Sequence, residues 1–370
     1  MNAWRNKTER DISGGAMTGV GAQRRERTAL VAGAGGFIGG HLVRALLAEG
    51  RVVRAVDQKP LAEWYQIDER AENITADLSR LPQCQDAADG MAEVFNLAAD
   101  MGGMGFIETH KAECMLSVLI NTHLLMAARD AGVSRFFFSS SACVYAAGHQ
   151  RSPSVVALRE QDAYPAEPED GYGWEKLFSE RMCRHFTEDY GIETRIARYH
   201  NVYGPHGTFD GGREKAPAAI CRKVIQAKQA GRDTIDIWGD GEQTRSFMYI
   251  DDCVEGTLRL MRSDVRVPLN VGSAELVSIN SLVDLASDIG GVRLARSHDL
   301  SAPQGVRGRN SDNTLINEVL GWAPSITLRD GLTQTYRWIE ESLADVPAVP
   351  TRASFVASPA VASPAVATPA

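Results

Sequence analysis

The chain has 370 residues, of which 44% are hydrophobic and 23% are charged, and its formal net charge at neutral pH is −8. This composition is typical of a globular protein with one large domain or two modest ones. The acidic balance argues against nucleic acid and anionic membranes as partners. No apolar run approaches the roughly 20 residues of a membrane span, and the polar N-terminus lacks the apolar core of a secretory signal.

The six cysteines are widely and irregularly spaced, without a Cys-x-x-Cys pair. This spacing argues against a zinc site or a disulfide framework, so we expect no bound metal. Unpaired thiols suit a reducing compartment. The sequence therefore predicts a cytoplasmic protein.

Short apolar runs alternate with amphipathic stretches through most of the chain. Strands are predicted at TALVAGA, VVRAVD, EVFNLAA, RFFFSSS and TRIARYHNVYG, with amphipathic helices between them. Because strands that alternate with helices form a parallel sheet covered on both faces, we predict an α/β fold. The expected architecture is a Rossmann-like, doubly wound parallel sheet with a smaller C-terminal domain.

The pattern also divides the chain into four parts. Residues 1–26 and the Ala/Pro-rich residues 346–370 are expected to be flexible tails, the second because proline removes backbone donors and blocks helix formation. Residues 27–203 should form the dinucleotide-binding domain, with some later segments returning to it. Residues 204–345 should mainly bind the substrate.

A glycine-rich turn follows the first predicted strand. The segment GAGGFIG places Gly33, Gly36 and Gly39 between a strand and a helix, with Phe37 and Ile38 in the same turn. Without side chains on the glycines, the backbone can approach a pyrophosphate at the start of the helix, where free N–H groups favour anions. The turn therefore predicts a dinucleotide site.

Two acids further along the chain favour NAD as the cofactor. Asp57 ends the second predicted strand, about 20 residues on, where an acid can bind the ribose hydroxyls of the adenosine. An acid at this position would repel the extra phosphate of NADP. Asp77, in the segment ADL, suits a loop that packs on the adenine.

Tyr172 and Lys176 are four residues apart at the start of a long predicted helix, so they lie on one face. The ammonium can stabilise the phenolate and lower the pKa of the tyrosine, which could then exchange protons with a sugar hydroxyl. Tyr-x-x-x-Lys is common by chance. It gains weight here because a nucleotide-binding turn precedes it and Ser141 ends an upstream strand.

These features, with the segment NVYGP, resemble the extended short-chain dehydrogenase/reductase family of nucleotide-sugar enzymes. Six more segments resemble the GDP-mannose 3,5-epimerases within it, namely ADMGGMGFI, SSACVY, PAEPEDGYGWEK, GGREKAPAAICRK, WGDGEQTRSF and VRGRNSDN. The resemblance covers nearly the whole chain between the tails. It implies an NAD-dependent isomerase that oxidises C4 of GDP-mannose transiently, epimerises C3 and C5 and re-reduces C4. The implied products are GDP-L-galactose and GDP-L-gulose.

The resemblance further implies that Cys143 and Lys215 act on the ring protons from opposite faces, with Cys143 as the base and Lys215 as the opposing acid. Related 4,6-dehydratases carry a glutamate at the position of Cys143, and in this chain Ala142 precedes the cysteine. The absence of acid–base carboxylates at this place argues against dehydration. A thiol is a workable base whose pKa a nearby positive charge can lower. A partly desolvated lysine can give and take protons near neutrality.

Substrate contacts are implied in the same way. Arg245, Arg307 and Lys223 would hold the diphosphate, for which arginine offers a bidentate fork. The other implied contacts to the sugar or nucleotide are Gly102, Ser141, Ala142, Cys143, Asn201, Glu214, Lys215, Ala216, Gln243 and Thr244. Asp251 and Asp252 are expected to be structural, capping a helix. The implied partners are a GDP-sugar and a second copy in a homodimer.

Two alternatives stay open. A nucleotide-sugar 4-epimerase needs only Tyr172, Lys176 and NAD, and Cys143 and Lys215 would then be bystanders. A non-catalytic NAD-binding regulator would keep the fold, but it should have lost reactive residues. Exchange of solvent deuterium into the sugar distinguishes the first alternative, because only epimerisation at C3 and C5 requires it.

Overall fold

The computed structural model describes residues 27–302 and 305–344, so the predictions for residues 1–26 and 346–370 lie outside the described residues. The strands are β1 (Thr28–Ala32), β2 (Val52–Asp57), β3 (Glu72–Thr75), β4 (Glu93–Asn96), β5 (Arg135–Ser141), β6 (Glu193–Tyr199), β7 (Val202–Tyr203), β8 (Thr234–Trp238), β9 (Thr244–Ser246), β10 (Met248–Tyr249), β11 (Leu269–Val271), β12 (Leu276–Ser278), β13 (Ala295–Asp299) and β14 (Gly308–Arg309).

The helices differ widely in length, and the two longest, of 21 and 19 residues, cover one face of the main sheet side by side. They are α1 (Phe37–Ala48), α2 (Leu81–Ala88), α3 (Met104–Thr109), α4 (Lys111–Ala131), α5 (Tyr172–Tyr190), α6 (Ala216–Gln229), α7 (Ile250–Arg262), α8 (Ile279–Gly290), α9 (Thr314–Leu320) and α10 (Leu328–Ala344). Among these described helices, none is both long and apolar enough to span a membrane.

The main sheet has seven strands in the order β3-β2-β1-β4-β5-β6-β11, and every neighbouring pair is parallel. Strands β1 and β5 are buried along nearly their whole length, as expected when helices cover both faces. The chain order reverses between β1 and β4, so a crevice forms there at the carboxyl ends of the strands. The predicted doubly wound α/β fold is confirmed.

The C-terminal elements form smaller sheets. Strand β8 pairs with β13, β7 pairs with β10, and β9 lies between β12 and β14. Strand β11 joins the main sheet beside β6, and helix α7 packs against α1 and β6. One hydrophobic cluster contains Val31 of β1, Val224 of α6 and Ile339 of α10. The main sheet and the C-terminal elements therefore share a core.

Asp251 and Asp252 lie inside the first turn of α7, whose capping residue is Tyr249. The Asp252 carboxylate accepts hydrogen bonds from the N–H groups of Ser325 at 3.0 Å and Ile326 at 2.8 Å. This carboxylate ties the loop before α10 to α7. Asp252 is thus structural, as expected, but through a contact between segments instead of a helix cap.

A buried ion pair joins α5 to the main sheet. Arg198 on β6 donates to both carboxylate oxygens of Glu180, at 2.9 and 2.7 Å, and the two side chains are 2% and 4% exposed. Ser140 on β5 donates to the same carboxylate, and Arg198 also donates to the Glu160 carbonyl at 2.6 Å. Bidentate, charge-assisted bonds of this kind are strong and restrict geometry.

Loss of the Glu180 carboxylate would leave the Arg198 guanidinium buried without its partner. We therefore expect Glu180→Ala to lower the free energy of unfolding by about 3–5 kcal/mol, measured by urea denaturation. Glu188→Ala is the matched control, since Glu188 is on the same helix, pairs with Arg184 at 2.7 Å and is 45% exposed. It should cost less than about 1 kcal/mol. Equal losses in the two variants would contradict the role given to the buried pair.

Candidate active site

A cleft of about 880 Å³ opens at the carboxyl ends of the main-sheet strands. The segments that follow β1, β2, β4, β5 and β6 line it, together with α6, β8 and β9. All but two of the site residues predicted from the sequence contribute to its wall. Those that line it are Gly33, Gly36, Phe37, Ile38, Gly39, Asp57, Asp77, Gly102, Ser141, Ala142, Cys143, Tyr172, Lys176, Asn201, Glu214, Lys215, Ala216, Lys223, Gln243 and Arg245.

The turn between β1 and α1 fits the phosphates of a dinucleotide. A Cβ atom on Gly39 would lie 2.1 Å from the Gly33 carbonyl oxygen, so the chain passes too close here for any side chain. Helix α1 begins at Phe37, after Gly36, which has no side chain that could cap it. The first-turn N–H groups thus lie uncapped at a helix end that attracts anions.

Two acids line the cleft at the ends of β2 and β3. Asp57 is 9% exposed, and its Oδ1 accepts a hydrogen bond from the Lys59 N–H at 3.1 Å. Asp77 accepts from the Ser79 N–H at 3.0 Å and pairs with Arg80 at 3.0 Å. The hydrogen bond from the Ser79 hydroxyl lowers the pKa of Asp77. The position of Asp57, at the end of the strand beside β1, suits a ribose contact.

Tyr172, Lys176 and Ser141 come together in the cleft. The Lys176 Nζ lies 5.4 Å from the centroid of the Tyr172 ring and 3.5 Å from a Glu175 carboxylate oxygen. Burial raises the pKa of Tyr172 well above its ordinary value, and a hydrogen bond with Ser141 acts against this rise. The sequence predicted a lowered pKa. The direction is reversed because the phenol lies in a buried cluster with Phe106.

Cys143 lies in the 3-10 turn that directly follows β5, and it is 7% exposed. Its N–H donates to the Ser141 hydroxyl at 3.2 Å, and the Arg309 Nη1 lies 3.4 Å from its Sγ. Burial raises the pKa of the thiol, Glu169 adds to the rise, and Arg309 and Lys215 act against it. The positive charges expected beside Cys143 are present, but burial outweighs them.

Lys215 directly precedes α6, and its Nζ donates to the Gly102 carbonyl at 3.3 Å. Burial lowers the pKa of its ammonium. Burial therefore drives both Cys143 and Lys215 toward their neutral forms, a thiol that can donate a proton and an amine that can accept one. The resemblance implied a base role for Cys143 and an acid role for Lys215, and these two roles stay predictions.

Thr244 and Arg307 are the two predicted residues that do not line the cleft formed by the described residues. Arg307 pairs with Asp240, with both nitrogen–oxygen distances at 3.0 Å. Thr244 faces away from the cleft because side chains alternate along β9, while Gln243 and Arg245 face into it. The predicted substrate contacts at Thr244 and Arg307 stay predictions, and neither residue contributes to the cleft wall as the described residues form it.

Arg309 stands where Arg307 was expected. Strand β14 pairs with β9 so that Arg309 lies opposite Arg245, and the two residues are 5% and 9% exposed. Burial lowers the pKa of Arg245 to about 9. Two buried guanidinium groups on adjacent strands favour a multiply charged anion beside them. Both Arg307 and Arg309 are in the segment VRGR, and only the strand pairing distinguishes them.

Three further predicted contacts are held in place by hydrogen bonds. The Asn201 side chain donates to the Ser246 carbonyl at 3.0 Å, and the Lys223 Nζ donates to the Asp236 carbonyl at 2.8 Å. Glu214 accepts a hydrogen bond from an arginine of α6 at 3.2 Å. Within the described residues, no group of three or more His, Cys, Asp or Glu side chains could hold a metal ion.

Comparison with known proteins places the chain in a family. The model of the NAD dependent epimerase/dehydratase family matches residues 29–272. The chain is 50% identical over 314 residues to GDP-mannose 3,5-epimerase 1 of Oryza sativa subsp. japonica, covering 85% of this chain and 82% of the rice protein. It is 47% identical over 329 residues to GDP-mannose 3,5-epimerase of Arabidopsis thaliana, covering 89% and 86%.

Solved structures agree with this placement. UDP-glucose 4-epimerase of Thermotoga maritima, solved with UDP-glucose, has a TM-score of 0.76 at 26% identity and covers 85% of this chain and 99% of that chain. MoeE5, in complex with UDP-glucuronic acid and NAD, has a TM-score of 0.71 at 30% identity with the same coverage. Since the family model spans more than half of the chain and the plant relatives cover most of it, the chain belongs to the NAD-dependent epimerase/dehydratase family.

Proposed function

We propose that this protein is an NAD-dependent GDP-mannose 3,5-epimerase that converts GDP-mannose to GDP-L-galactose, with GDP-L-gulose as a second product. The observation that carries the proposal is that Cys143 and Lys215 line the same cleft as Tyr172 and Lys176. A 4-epimerase would need only Tyr172 and Lys176 of these four residues. The rice and Arabidopsis relatives support GDP-mannose as the substrate.

When bound, NAD supplies reversible oxidation at C4 of the sugar. Tyr172 takes the proton of the C4 hydroxyl and returns it at the end of the cycle, Lys176 stabilises the phenolate, and Ser141 orients the hydroxyl. While C4 is a ketone, the C–H bonds at C3 and C5 are acidic. Proton exchange at these carbons then needs one group on each face of the ring.

Cys143 and Lys215 are these two groups. The neutral Lys215 amine removes a ring proton, and the Cys143 thiol supplies one to the opposite face. This transfer leaves an ammonium and a thiolate, which can act as acid and base in the next exchange. Arg309, 3.4 Å from the sulfur, stabilises the thiolate as it forms.

The buried Arg245 and Arg309 support a diphosphate-bearing substrate, because an anion between them would offset the cost of burying two like charges. Lys223 lines the same cleft and would add a third cation. We also propose that residues 27–203 chiefly bind NAD and residues 204–345 chiefly bind the substrate. The glycine turn lies in the first range and both arginines lie in the second.

Incubation of the protein with GDP-mannose in D₂O tests this function. We expect GDP-L-galactose and GDP-L-gulose, with deuterium at the epimerised carbons because the protons pass through Cys143 and Lys215. Nuclear magnetic resonance of the recovered sugars measures both results. UDP-glucose and UDP-glucuronic acid are the control substrates. Conversion of either control without deuterium uptake, and no conversion of GDP-mannose, would identify a 4-epimerase instead.

Substitution of the thiol separates its chemistry from its packing. Cys143→Ser should lower the rate of GDP-L-galactose formation by about 10²–10⁴-fold, because a hydroxyl keeps the shape but is a far weaker acid. The absorbance change of the nicotinamide on adding substrate, which reports the redox state of C4, should persist. Cys183→Ser is the control, since Cys183 is also buried but lies on α5 in a hydrophobic cluster that does not contain Cys143.

Two outcomes would contradict the role of Cys143. A wild-type rate of GDP-L-galactose formation in Cys143→Ser would mean that another residue supplies the proton. Loss of the nicotinamide absorbance change together with GDP-L-galactose formation would mean that Cys143 only shapes the pocket.

We further propose that the protein forms a homodimer through α4 and α5. The two helices run side by side in the same direction: the Cβ position of Gly171 is 3.0 Å from Lys111 at their starts, and Asn121 is 4.0 Å from the Cys183 sulfur further along. Their outer face carries large apolar side chains that are 39–60% exposed. These are Met115, Leu116, Leu119, Trp174 and Phe178. Contiguous apolar patches of this kind mark interaction sites.

Charge supports a second copy as the occupant of this face. A two-fold axis would set each helix antiparallel to its counterpart in the partner. Glu113, in the first turn of α4, would then approach the partner's Arg181, which lies roughly two and a half turns into α5. Neither residue belongs to an ion pair within the described part of the chain. The interface would therefore pair two charges around an apolar centre.

Leu116→Glu should convert the dimer to a monomer, because it places a charge in the centre of the apolar face. Sedimentation velocity measures the change in mass. Val267→Glu is the control: Val267 is also exposed, at 54%, but lies outside α4 and α5, so this variant should stay dimeric. A monomeric wild type, or a dimeric Leu116→Glu, would refute the interface.

The cysteines support a cytoplasmic location. All six are free, and all six are buried. Free thiols persist in reducing compartments, whereas oxidising compartments favour disulfides.

A further inference from the structure

Two of the segments that the sequence analysis singled out contact each other in the structure. The segment ADMGGMGFI follows β4 and runs into α3, and GGREKAP precedes α6, more than a hundred residues later. Both line the cleft, one from the main sheet and the other from the C-terminal elements. Their contacts depend mainly on one arginine, Arg213, to which neither the fold nor the proposed reaction has assigned a role.

Arg213 binds the first segment through its side chain and its main chain. Its Nη1 donates to Asp100 Oδ1 at 2.7 Å and to the Met101 carbonyl at 3.3 Å. Its guanidinium carbon lies 3.7 Å from the centroid of the Phe106 ring, within range of a cation–π contact. Its carbonyl accepts a hydrogen bond from the Gly103 N–H at 3.0 Å.

The partners of Arg213 are themselves held in place. The His110 ring stacks on Phe106 with the centroids 4.3 Å apart, so the phenyl ring packs between His110 and Arg213. Gly103 admits no side chain, because a Cβ atom would lie 2.6 Å from the Glu214 carbonyl oxygen. We call Asp100, Gly103, Phe106 and Arg213 the Arg213 clamp.

The clamp is directly connected to both proton-exchanging residues. Lys215 is two residues after Arg213, and its Nζ donates to the Gly102 carbonyl at 3.3 Å, inside the clamped segment. Phe106 belongs to the same buried cluster as Cys143. The clamp thus joins the segment that carries Lys215 to the cluster that carries Cys143.

We propose that Arg213 is a positioning residue for proton exchange, which holds Lys215 at the sugar face opposite Cys143 by binding Asp100 and Phe106. This inference rests on the proposed function. The ion pair alone would contribute little, because its side chains are 48% and 36% exposed. The aromatic contact and the main-chain hydrogen bond act on the same residue and restrict where the following segment can lie.

The clamp should affect one half of the reaction and leave the other intact. Tyr172 and Lys176 are on α5. Although Tyr172 shares a buried cluster with Phe106, the backbone of α5 is held by its packing on β5 and β6 and not by Arg213. A displacement of about 1 Å of a catalytic group can cost about 100-fold in rate. Loss of the clamp should therefore reduce proton exchange at C3 and C5 while the oxidation of C4 continues.

The test measures deuterium uptake, kcat, KM and the nicotinamide absorbance change in variants of the full chain. Arg213→Gln and Asp100→Asn should each lower deuterium uptake by about 10–100-fold, with KM and the absorbance change within about threefold of the wild type. The double variant should lose no more than the stronger single variant, because both substitutions break one contact. Arg213→Lys keeps the positive charge but cannot stack a planar group on Phe106. Its deuterium uptake should therefore lie between that of Arg213→Gln and that of the wild type.

Arg259→Gln is the matched control. Arg259 on α7 pairs with Glu255 at 2.6 Å, is 44% exposed and lies 5.9 Å from the Trp322 ring centroid, so it makes the same kinds of contact away from the cleft. It should leave deuterium uptake unchanged. Thermal unfolding of each variant shows whether the fold is retained.

Three results would overturn the role of Arg213. The first is wild-type deuterium uptake in Arg213→Gln. The second is a raised KM with kcat retained, which would make Arg213 a ligand of the substrate. The third is additive losses in the double variant, which would mean that Arg213 and Asp100 act separately. Absence of deuterium uptake in the wild-type protein would instead refute the proposed function, so the two failures are distinguishable.

Discussion

The Arg198–Glu180 ion pair holds the end of β5, and the geometry of the active site depends on that strand. Glu180 accepts a hydrogen bond from Ser140, within the strand, and Arg198 Nη1 lies 3.4 Å from the hydroxyl of Tyr145, just beyond it. The turn that carries Cys143 lies between these two contacts and is held on both sides. A buried ion pair is weak evidence for stability. Here the pair restricts the position of the end of β5, because β5 and β6 both donate hydrogen bonds to the Glu180 carboxylate of α5.

Burial also determines which protonation states the site favours. The same desolvation raises the pKa of the Cys143 thiol and lowers the pKa of the Lys215 ammonium, so burial acts against the charged form of both groups. Glu169 lies 3.5 Å from Arg309 and offsets part of the charge of that guanidinium. In the proposed mechanism a thiolate and an ammonium form when a proton passes through the sugar, and the Arg309 guanidinium already lies beside the sulfur that would become charged.

The parts of the site that the sequence predicted are local in the chain. The glycine turn and the Tyr172–Lys176 pair each belong to one strand end or one helix turn, so their spacing alone indicates their geometry. Arg309 could not be separated from Arg307, because the pairing of β14 with β9 joins residues more than 60 apart. Arg213 was missed for the same reason. The parallel sheet was predictable from alternating strands and helices, whereas two- and three-residue strands such as β7 and β9 carry no periodic pattern.

The contacts between distant segments suggest how one fold serves two kinds of epimerase. To invert C4, an enzyme must let the ketone present its other face to the cofactor, so the sugar has to turn within the cleft. To invert C3 and C5 and restore C4, it must keep the sugar in one orientation while two groups act on its opposite faces. In the proposed mechanism Tyr172 and Lys176 would serve either reaction. The Arg213 clamp joins the Lys215 segment to the segment after β4, and it would suit only the second reaction, which needs Lys215 held at one face of the sugar while Cys143 acts at the other.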